Sequence, residues 1–281
     1  MPRPQKQTPT RKRVTKKDNV LDRISDIHFD ENDGIKINVY GQSGTGKTTF
    51  WSSFPGNILA IICSGGNKPG ELRSIPLDTR KKIKTVSIEK STEVRELITY
   101  QKEENPFNTI VLDHATGFQE LILKEILGID ELPAQLGWGV AKQQDWGQCA
   151  LQVKNILREL LSLECNVVVV AQEREFTPSE GSELLMPHVG SALTPSISGW
   201  LLPACDYVVQ TFKRQEVLTK KTTIGKKIVT TKSKGDRVEY CLRTAPHEMY
   251  MTKFRVPKGQ ELPQEIVDPD YTKLMSVIHG G

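Results

Sequence analysis

Residues 35–51 read IKINVYGQSGTGKTTFW: a short apolar stretch, a glycine-rich turn and the opening of a helix. Gly41, Gly46, Lys47 and Thr48 fit the pattern G-x-x-x-x-G-K-[ST]. Glycine at positions 41, 44 and 46 lets the backbone turn sharply with no Cβ in the way, so that successive amides can point at a string of phosphates. In such a loop the lysine reaches the β- and γ-phosphates and the threonine hydroxyl enters the shell of a Mg2+ ion. The expected ligands are therefore ATP and Mg2+, held by Gly41, Gln42, Ser43, Gly44, Thr45, Gly46, Lys47, Thr48 and Thr49. A glycine-rich turn arising by chance is the alternative, and the apolar strand Ile35 to Tyr40 that leads into the loop speaks against it.

A nucleotide-bound metal needs an anion fixed on a rigid neighbouring element. The segment NTIVLDHATG, residues 108–117, offers one, since a largely apolar run ends in Asp113. A strand closed by a helix-capping aspartate would read the same way. Metal binding is accordingly assigned to Thr48 and Asp113. A further strand, NVVVVAQERE (residues 166–175), ends with Gln172 where it would emerge beside the phosphates. A glutamine there can hydrogen-bond a γ-phosphate or the attacking water; the plain alternative is an exposed strand end.

Around these motifs the chain alternates short apolar strands with amphipathic helices, the pattern of a mainly parallel sheet covered on both faces. Strands are expected over 35–40, 57–63, 109–113 and 166–171, with helices over 92–100, 118–127 and 148–163. In the last helix Val153, Ile156, Leu157, Leu160 and Leu161 form one stripe, and Asp145 is the expected N-terminal cap. Beyond Pro203 the texture changes to β-branched runs, DYVVQTF, KKIVTTKS, RVEYCLRT and MYMTKFRV, with a turn expected at Lys234-Gly235-Asp236. This predicts an antiparallel extension of the same sheet. The stretch 257–281, with prolines at 257, 263 and 269, reads as a loosely attached C-terminal tail.

Charge is unevenly placed. The 281 residues carry a formal net charge of +4, yet residues 1–17 hold seven Lys or Arg and no acid, which leaves 31 basic against 34 acidic residues elsewhere. Residues 1–30 are expected to be a disordered basic tail that either holds nucleic acid phosphates or only solubilises. The domain proper is then 31–256. The five cysteines are scattered without a C-x-x-C pair, as small core residues of a reducing compartment would be. The longest apolar runs, ILAIIC and VVVVA, are too short to cross a bilayer, so a soluble cytoplasmic protein without a membrane partner is expected.

On the order of GQSGTGKTT, TIVLDHA, VVVVAQ and TKFRVPKG, residues 33–256 resemble the RecA-like branch of P-loop ATPases, and most of all its small phage-type ATP-binding proteins, which include single-strand annealing ATPases. The resemblance implies an α/β fold, a RecA-like P-loop NTPase with a mainly parallel sheet flanked by helices and an antiparallel C-terminal extension. It implies ATP hydrolysis coupled to DNA recombination or annealing, and assembly as a homo-oligomeric ring or filament. It also implies catalytic roles for Lys47, Asp113 and Gln172, and for Lys253 and Arg255 as a Lys-x-Arg pair offered to the nucleotide of an adjacent subunit. A lone subunit is expected to gain little from two such like charges facing one way. One departure stands out: Cys63 and Ser64 occupy the place where RecA-like enzymes usually carry a water-polarising glutamate. Glu71 or His114 would have to substitute, and a nucleotide-gated binding module with little or no hydrolysis is the competing reading. A small-molecule kinase sharing only the loop would need an arginine-rich lid, and the segments after Asp113 offer tryptophans, amides and β-strands instead.

Single-stranded DNA is the expected polymer. The resemblance implies that loops 128–146, with Trp138 and Trp146, and 173–196 face it; against this, the second loop holds more acids than bases, and packing of Trp138 on the core is the alternative. Residues 212–237 add nine basic against two acidic residues, which suits either phosphate binding or protection of an exposed β edge.

Overall fold

In the computed structural model, which describes residues 34–63, 69–130, 141–177, 187–224 and 227–280, the apolar runs become strands buried on both faces. The strands are β1 (Lys36–Gly41), β2 (Ile58–Ile62), β3 (Ile83–Ser87), β4 (Thr109–Asp113), β5 (Asn166–Phe176), β6 (His188–Ser191), β7 (Tyr207–Ile224), β8 (Lys227–Arg243) and β9 (Glu265–Val267). They form one sheet in the order β3-β2-β4-β5-β1-β7-β8-β9, with β6 paired to β5. The strands from β3 to β7 run parallel, while β8 and β9 are antiparallel additions. This is a RecA-like P-loop NTPase fold with an antiparallel C-terminal extension.

Parallel strands have both faces covered, and alternation along each strand feeds two cores. On one face Tyr40, Leu59, Ile110, Val167 and Val169 meet the apolar stripes of α3 (Ser91–Glu104), α4 (Ala115–Leu127), α5 (Gln143–Leu161) and α6 (Pro195–Ala204). On the other, Ile37, Val39, Val168 and Val170 pack with Phe50, Trp51 and Phe54 of α1 (Lys47–Ser52) and the turn behind it, and with Leu274 of α7 (Tyr271–His279). A four-residue helix, α2 (Leu77–Arg80), precedes β3. The expected stripe of α5 is buried at Val153, Ile156, Leu157 and Leu160. Its N-cap position is Lys142, and Asp145 acts from inside the first turn, where its carboxylate accepts the Lys142 amide at 2.7 Å.

The lower edge of the sheet, where the parallel strands begin, is closed by two lysines. Lys36 donates to the carbonyls of Gly34, Leu163 and Cys165 at 2.6–2.8 Å, taking up the chain just past α5. Lys253 donates to Leu202, Pro203 and Cys205 at 3.1, 3.0 and 2.6 Å, taking up the end of α6. Cations at helix C-termini satisfy carbonyls that the helix itself cannot.

Two expectations for the C-terminal third change. The turn expected at 234–236 does not exist: β8 runs straight through it, and the hairpin closes between Ile224 and Lys227. Gly235 sits opposite a register shift between Gln215 and Val217, and a Cβ there would lie 2.5 Å from the Glu216 carboxylate, so this glycine serves a bulge and not a turn. The stretch after residue 256 is not loose. β9 pairs with β8, Leu274 is fully buried, the Tyr271 amide donates to Ser53 Oγ at 2.8 Å, and its ring packs on Phe54 at 4.9 Å. The basic tail of residues 1–30 lies outside the described residues. All five cysteines are buried and unpaired.

Candidate functional site

Because the sheet is parallel in register, the upper ends of its central strands converge. Gly41 lies beside Gln172 on one flank and Thr211 on the other, and Asp113 ends β4 beside Ile62. Here the chain opens a cavity of about 660 Å3. Its lining includes residues 43–50, Asp113, His114 and Gln172, together with Ser74, Tyr240, Asp268 and Pro269. A volume of this size lies within the range of small-molecule sites.

The loop is shaped by its neighbours as much as by its own sequence. A Cβ on Gly41 would lie 2.3 Å from Thr211 Oγ1 and 2.4 Å from its carbonyl, so β7 alone demands glycine there. Gly44 and Gly46 have φ of 74° and 91°, which a side chain would resist. Thr45 Oγ1 bonds to the Gln42 carbonyl and to Thr211 Oγ1, both at 2.8 Å, so this hydroxyl clamps the loop and leaves the backbone amide for a ligand. Lys47 folds back over the turn, its ammonium 2.7 Å from the carbonyls of both Gly41 and Gln42. Burial lowers the Lys47 pKa against the opposing pull of Asp113 and Glu173. An anion in the cavity would relieve that cost.

Asp113 is positioned by a residue that the sequence did not single out. Trp51, fully buried on α1, donates its indole N–H to Asp113 Oδ2 at 3.1 Å, joining the helix that carries the loop to the carboxylate across from it. His114 caps α4 by accepting the Gly117 amide on Nδ1 at 2.8 Å. An imidazole that accepts on Nδ1 carries its proton on Nε2 when neutral, so in this pose His114 can donate a hydrogen bond but cannot take a proton from water. Cys63 is buried, and burial together with Asp113 pushes its thiol far above the ordinary range. Ser64 and the Glu71 side chain lie outside the described residues. Among the described residues the carboxylates lining the cavity are Asp113 and Asp268.

Beside the loop a polar chain crosses four segments. Gln42 donates to Glu173 at 3.3 Å, Gln210 donates to the other Glu173 oxygen at 2.8 Å, and Arg243 donates to Gln210 at 3.0 Å. Arg243 is itself held between Phe212 and Tyr250, 4.6 Å from each ring.

Of the predicted site residues, Lys47, Thr48, Asp113 and Gln172 meet at the cavity, whereas Lys253 and Arg255 do not. Lys253 is bridged to Val208, near the start of β7 and at the opposite end of the sheet from Gly41. Its ammonium serves the α6 carbonyls, and Arg255 pairs with Asp206 at 2.9 Å. The expectation that a lone subunit has little use for these two charges is therefore corrected. Trp146, in the first turn of α5, packs against the core, Trp138 lies outside the described residues, and the side chains of 217–234 are likewise outside them. The expected loop 173–196 begins as the end of β5 paired with β6, where Phe176 stacks on His188 at 5.1 Å; residues 178–186 are not among those described.

A hard-oxygen pair, the Thr48 hydroxyl and the Asp113 carboxylate, suits Mg2+. Among the described residues no three His, Cys, Asp or Glu side chains gather into a metal cage. A cation bound here would complete its shell from phosphate and water, as Mg2+ does in nucleotide sites.

Residues 33–256 match the model of a protein family described as AAA domain. Among solved structures, a KaiC-like protein of the hyperthermophilic archaeon Pyrococcus horikoshii is 12% identical over 84% of this chain and 90% of its own, with a TM-score of 0.38. The flagellar accessory protein FlaH of Methanocaldococcus jannaschii is 10% identical over 84% of this chain and 85% of its own, also with a TM-score of 0.38. No curated protein matches the sequence. Among the described residues no helix is long and apolar enough to cross a membrane.

Proposed function

We propose for this chain, which belongs to the AAA domain family and carries a RecA-like P-loop ATPase domain, that it binds Mg-ATP in the cavity above β1 and hydrolyses it. The observation that carries this reading is the meeting of Lys47, Thr48, Asp113 and Gln172 around one cavity at the upper end of the sheet. Lys47 exchanges its two loop carbonyls for phosphate oxygens, Thr48 and Asp113 hold the metal, and the loop amides from 42 to 49 orient the phosphates. Mg2+ supplies charge neutralisation at the β- and γ-phosphates. Gln172, beside Gly41, orients the water or reports the γ-phosphate to the β5–β6 hairpin. The finer reading is an ATPase of DNA recombination or single-strand annealing, acting as an oligomer on single-stranded DNA. It is supported by the nine basic residues of 212–237 and by the stacked pair on the β5–β6 hairpin.

A second reading, a nucleotide-gated binding module with little turnover, is favoured by Cys63 at the place of the usual glutamate. One experiment separates them: ATP binding and turnover measured with and without single-stranded DNA, beside Lys47→Ala. Turnover that rises with DNA and vanishes in Lys47→Ala supports the ATPase. Tight binding without turnover supports the module, and wild-type binding in Lys47→Ala overturns both.

A further inference from the structure

The two flanks of the cavity are unlike. On one side of β1, the strands β5 and β4 bring Gln172, Asp113 and His114, all polar. On the other side, beyond β7, come Tyr240 of β8 and Asp268 and Pro269 of the turn after β9. Besides the His114 imidazole two aromatic rings line the cavity among the described residues, and they differ in access: Phe50 is 1% exposed and Tyr240 is 43% exposed. The Tyr240 ring stands against the last turn of the loop, since a Cβ on Gly46 would lie 3.3 Å from its Cδ1.

Tyr240 and Asp268 are fixed to one another and to the loop helix. The Asp268 amide donates to the Tyr240 carbonyl at 2.7 Å, and Lys273 donates to the carbonyls of Val267 and Asp268 at 2.9 and 2.7 Å. Asp268 is held at a φ of 47°, which aspartate tolerates better than most residues. Its carboxylate accepts from Arg237 and offers acceptors only. Three residues on, α7 is anchored to the turn behind α1 through Tyr271 and Ser53.

We propose that this flank recognises the nucleobase: the base stacks on Tyr240, and Asp268 accepts an N–H from its exocyclic amino group. The inference rests on the reading of the cavity as a nucleotide site. If the terminal phosphate and metal sit at Asp113, the phosphate chain runs along the loop and the nucleoside leaves on the side away from β4, where the exposed ring is. An acceptor-only group there selects a base that presents a donor, as the 6-amino group of adenine does. Asp268 and Pro269 lie beyond residue 256, where the match to the family model ends.

The test is a competition assay on the full chain against a fluorescent ATP analogue, with three competitors: ATP, purine riboside triphosphate (the same ring without the amino group) and inorganic tripolyphosphate. Tyr240→Ala is expected to weaken both nucleotides about tenfold, the scale of one aromatic-base stack, while tripolyphosphate binds as before. Tyr240→Phe restores the affinity. Asp268→Gly, which keeps the backbone conformation, brings ATP down to the level of purine riboside triphosphate and leaves the latter unchanged. Wild-type ATP affinity in both Tyr240→Ala and Asp268→Gly overturns the inference and leaves the nucleotide reading standing. An equal loss for tripolyphosphate in Tyr240→Ala, checked with Tyr240→Leu, overturns it as well, since the ring would then only shape the loop. A wild-type preference for GTP over ATP overturns the assignment to adenine. Failure of the wild-type chain to bind either ATP or tripolyphosphate overturns the nucleotide reading itself.

Discussion

Replacing Lys253 with methionine separates two accounts of the same residue. The side chain keeps its length and loses three N–H bonds to the carbonyls of Leu202, Pro203 and Cys205. Each such bond contributes about 0.5–1 kcal/mol net at a half-exposed site, or about 2 kcal/mol together. Burial and the nearby Arg255 lower the pKa of Lys253, so the ammonium is held at some cost that its removal offsets. The expected loss is therefore about 1–2 kcal/mol, or a fall in Tm of roughly 3–6 °C for a domain of this size. Scanning calorimetry reads the shift directly, and ATP binding at 20 °C should be unchanged. A neighbour's nucleotide could recruit this lysine only by breaking all three bonds. If Lys253→Met melts with the wild-type chain while ATP turnover collapses, the capping argument is refuted and the lysine acts on a phosphate of another subunit.

Other outcomes follow from single contacts. Gly41→Ala should lower Tm even without nucleotide, because its methyl would meet Thr211 backbone and side chain at 2.3–2.4 Å; an unchanged Tm with lost ATP binding would mean that the glycine serves the phosphates alone. Trp51→Phe keeps the ring in the core but removes the indole N–H from Asp113, so the Mg2+ concentration needed for half-maximal ATP binding should rise roughly tenfold, the usual cost of losing a residue that orients a ligand. The cysteine thiols should resist a thiol reagent at pH 8 in the folded protein and react in denaturant. Burial pushes Cys165 and Cys241 up to about 11 and Cys149 and Cys205 up to about 12, which leaves little thiolate at that pH.

The parallel core was legible because its strands are apolar runs between glycine and polar breaks; the expected 109–113 is β4 without change. The residues of the cavity contributed by one short motif each were legible for the same reason: Lys47, Asp113 and Gln172 sit at ends of such runs. What was hidden depends on pairing between distant segments. β3 is an edge strand whose Lys84 and Thr85 face solvent, so it lacks an apolar signature. Gly235 looks like a turn until the opposite strand shows the bulge. Tyr240, Asp268 and Trp51 carry no local pattern, and their place at the cavity comes from β8, β9 and α1 meeting in space. For Lys253 and Arg255 the spacing could not show what the fold does, that within one chain the charges meet its own carbonyls and Asp206.

The order of the sheet also sets a timetable. Among the described residues β1 is the first strand to leave a ribosome, yet it lies between β5 and β7, whose partner residues follow it by 131 and 170 positions, as with Lys36 beside Val167 and Ile37 beside Tyr207. At ordinary synthesis rates it waits on the order of ten seconds before its first neighbour exists. The far wall of the cavity, at Asp268 and Pro269, arrives later still. A growing chain thus displays its phosphate loop long before it can close a pocket around a whole nucleotide, and ligand can stabilise only a nearly finished molecule.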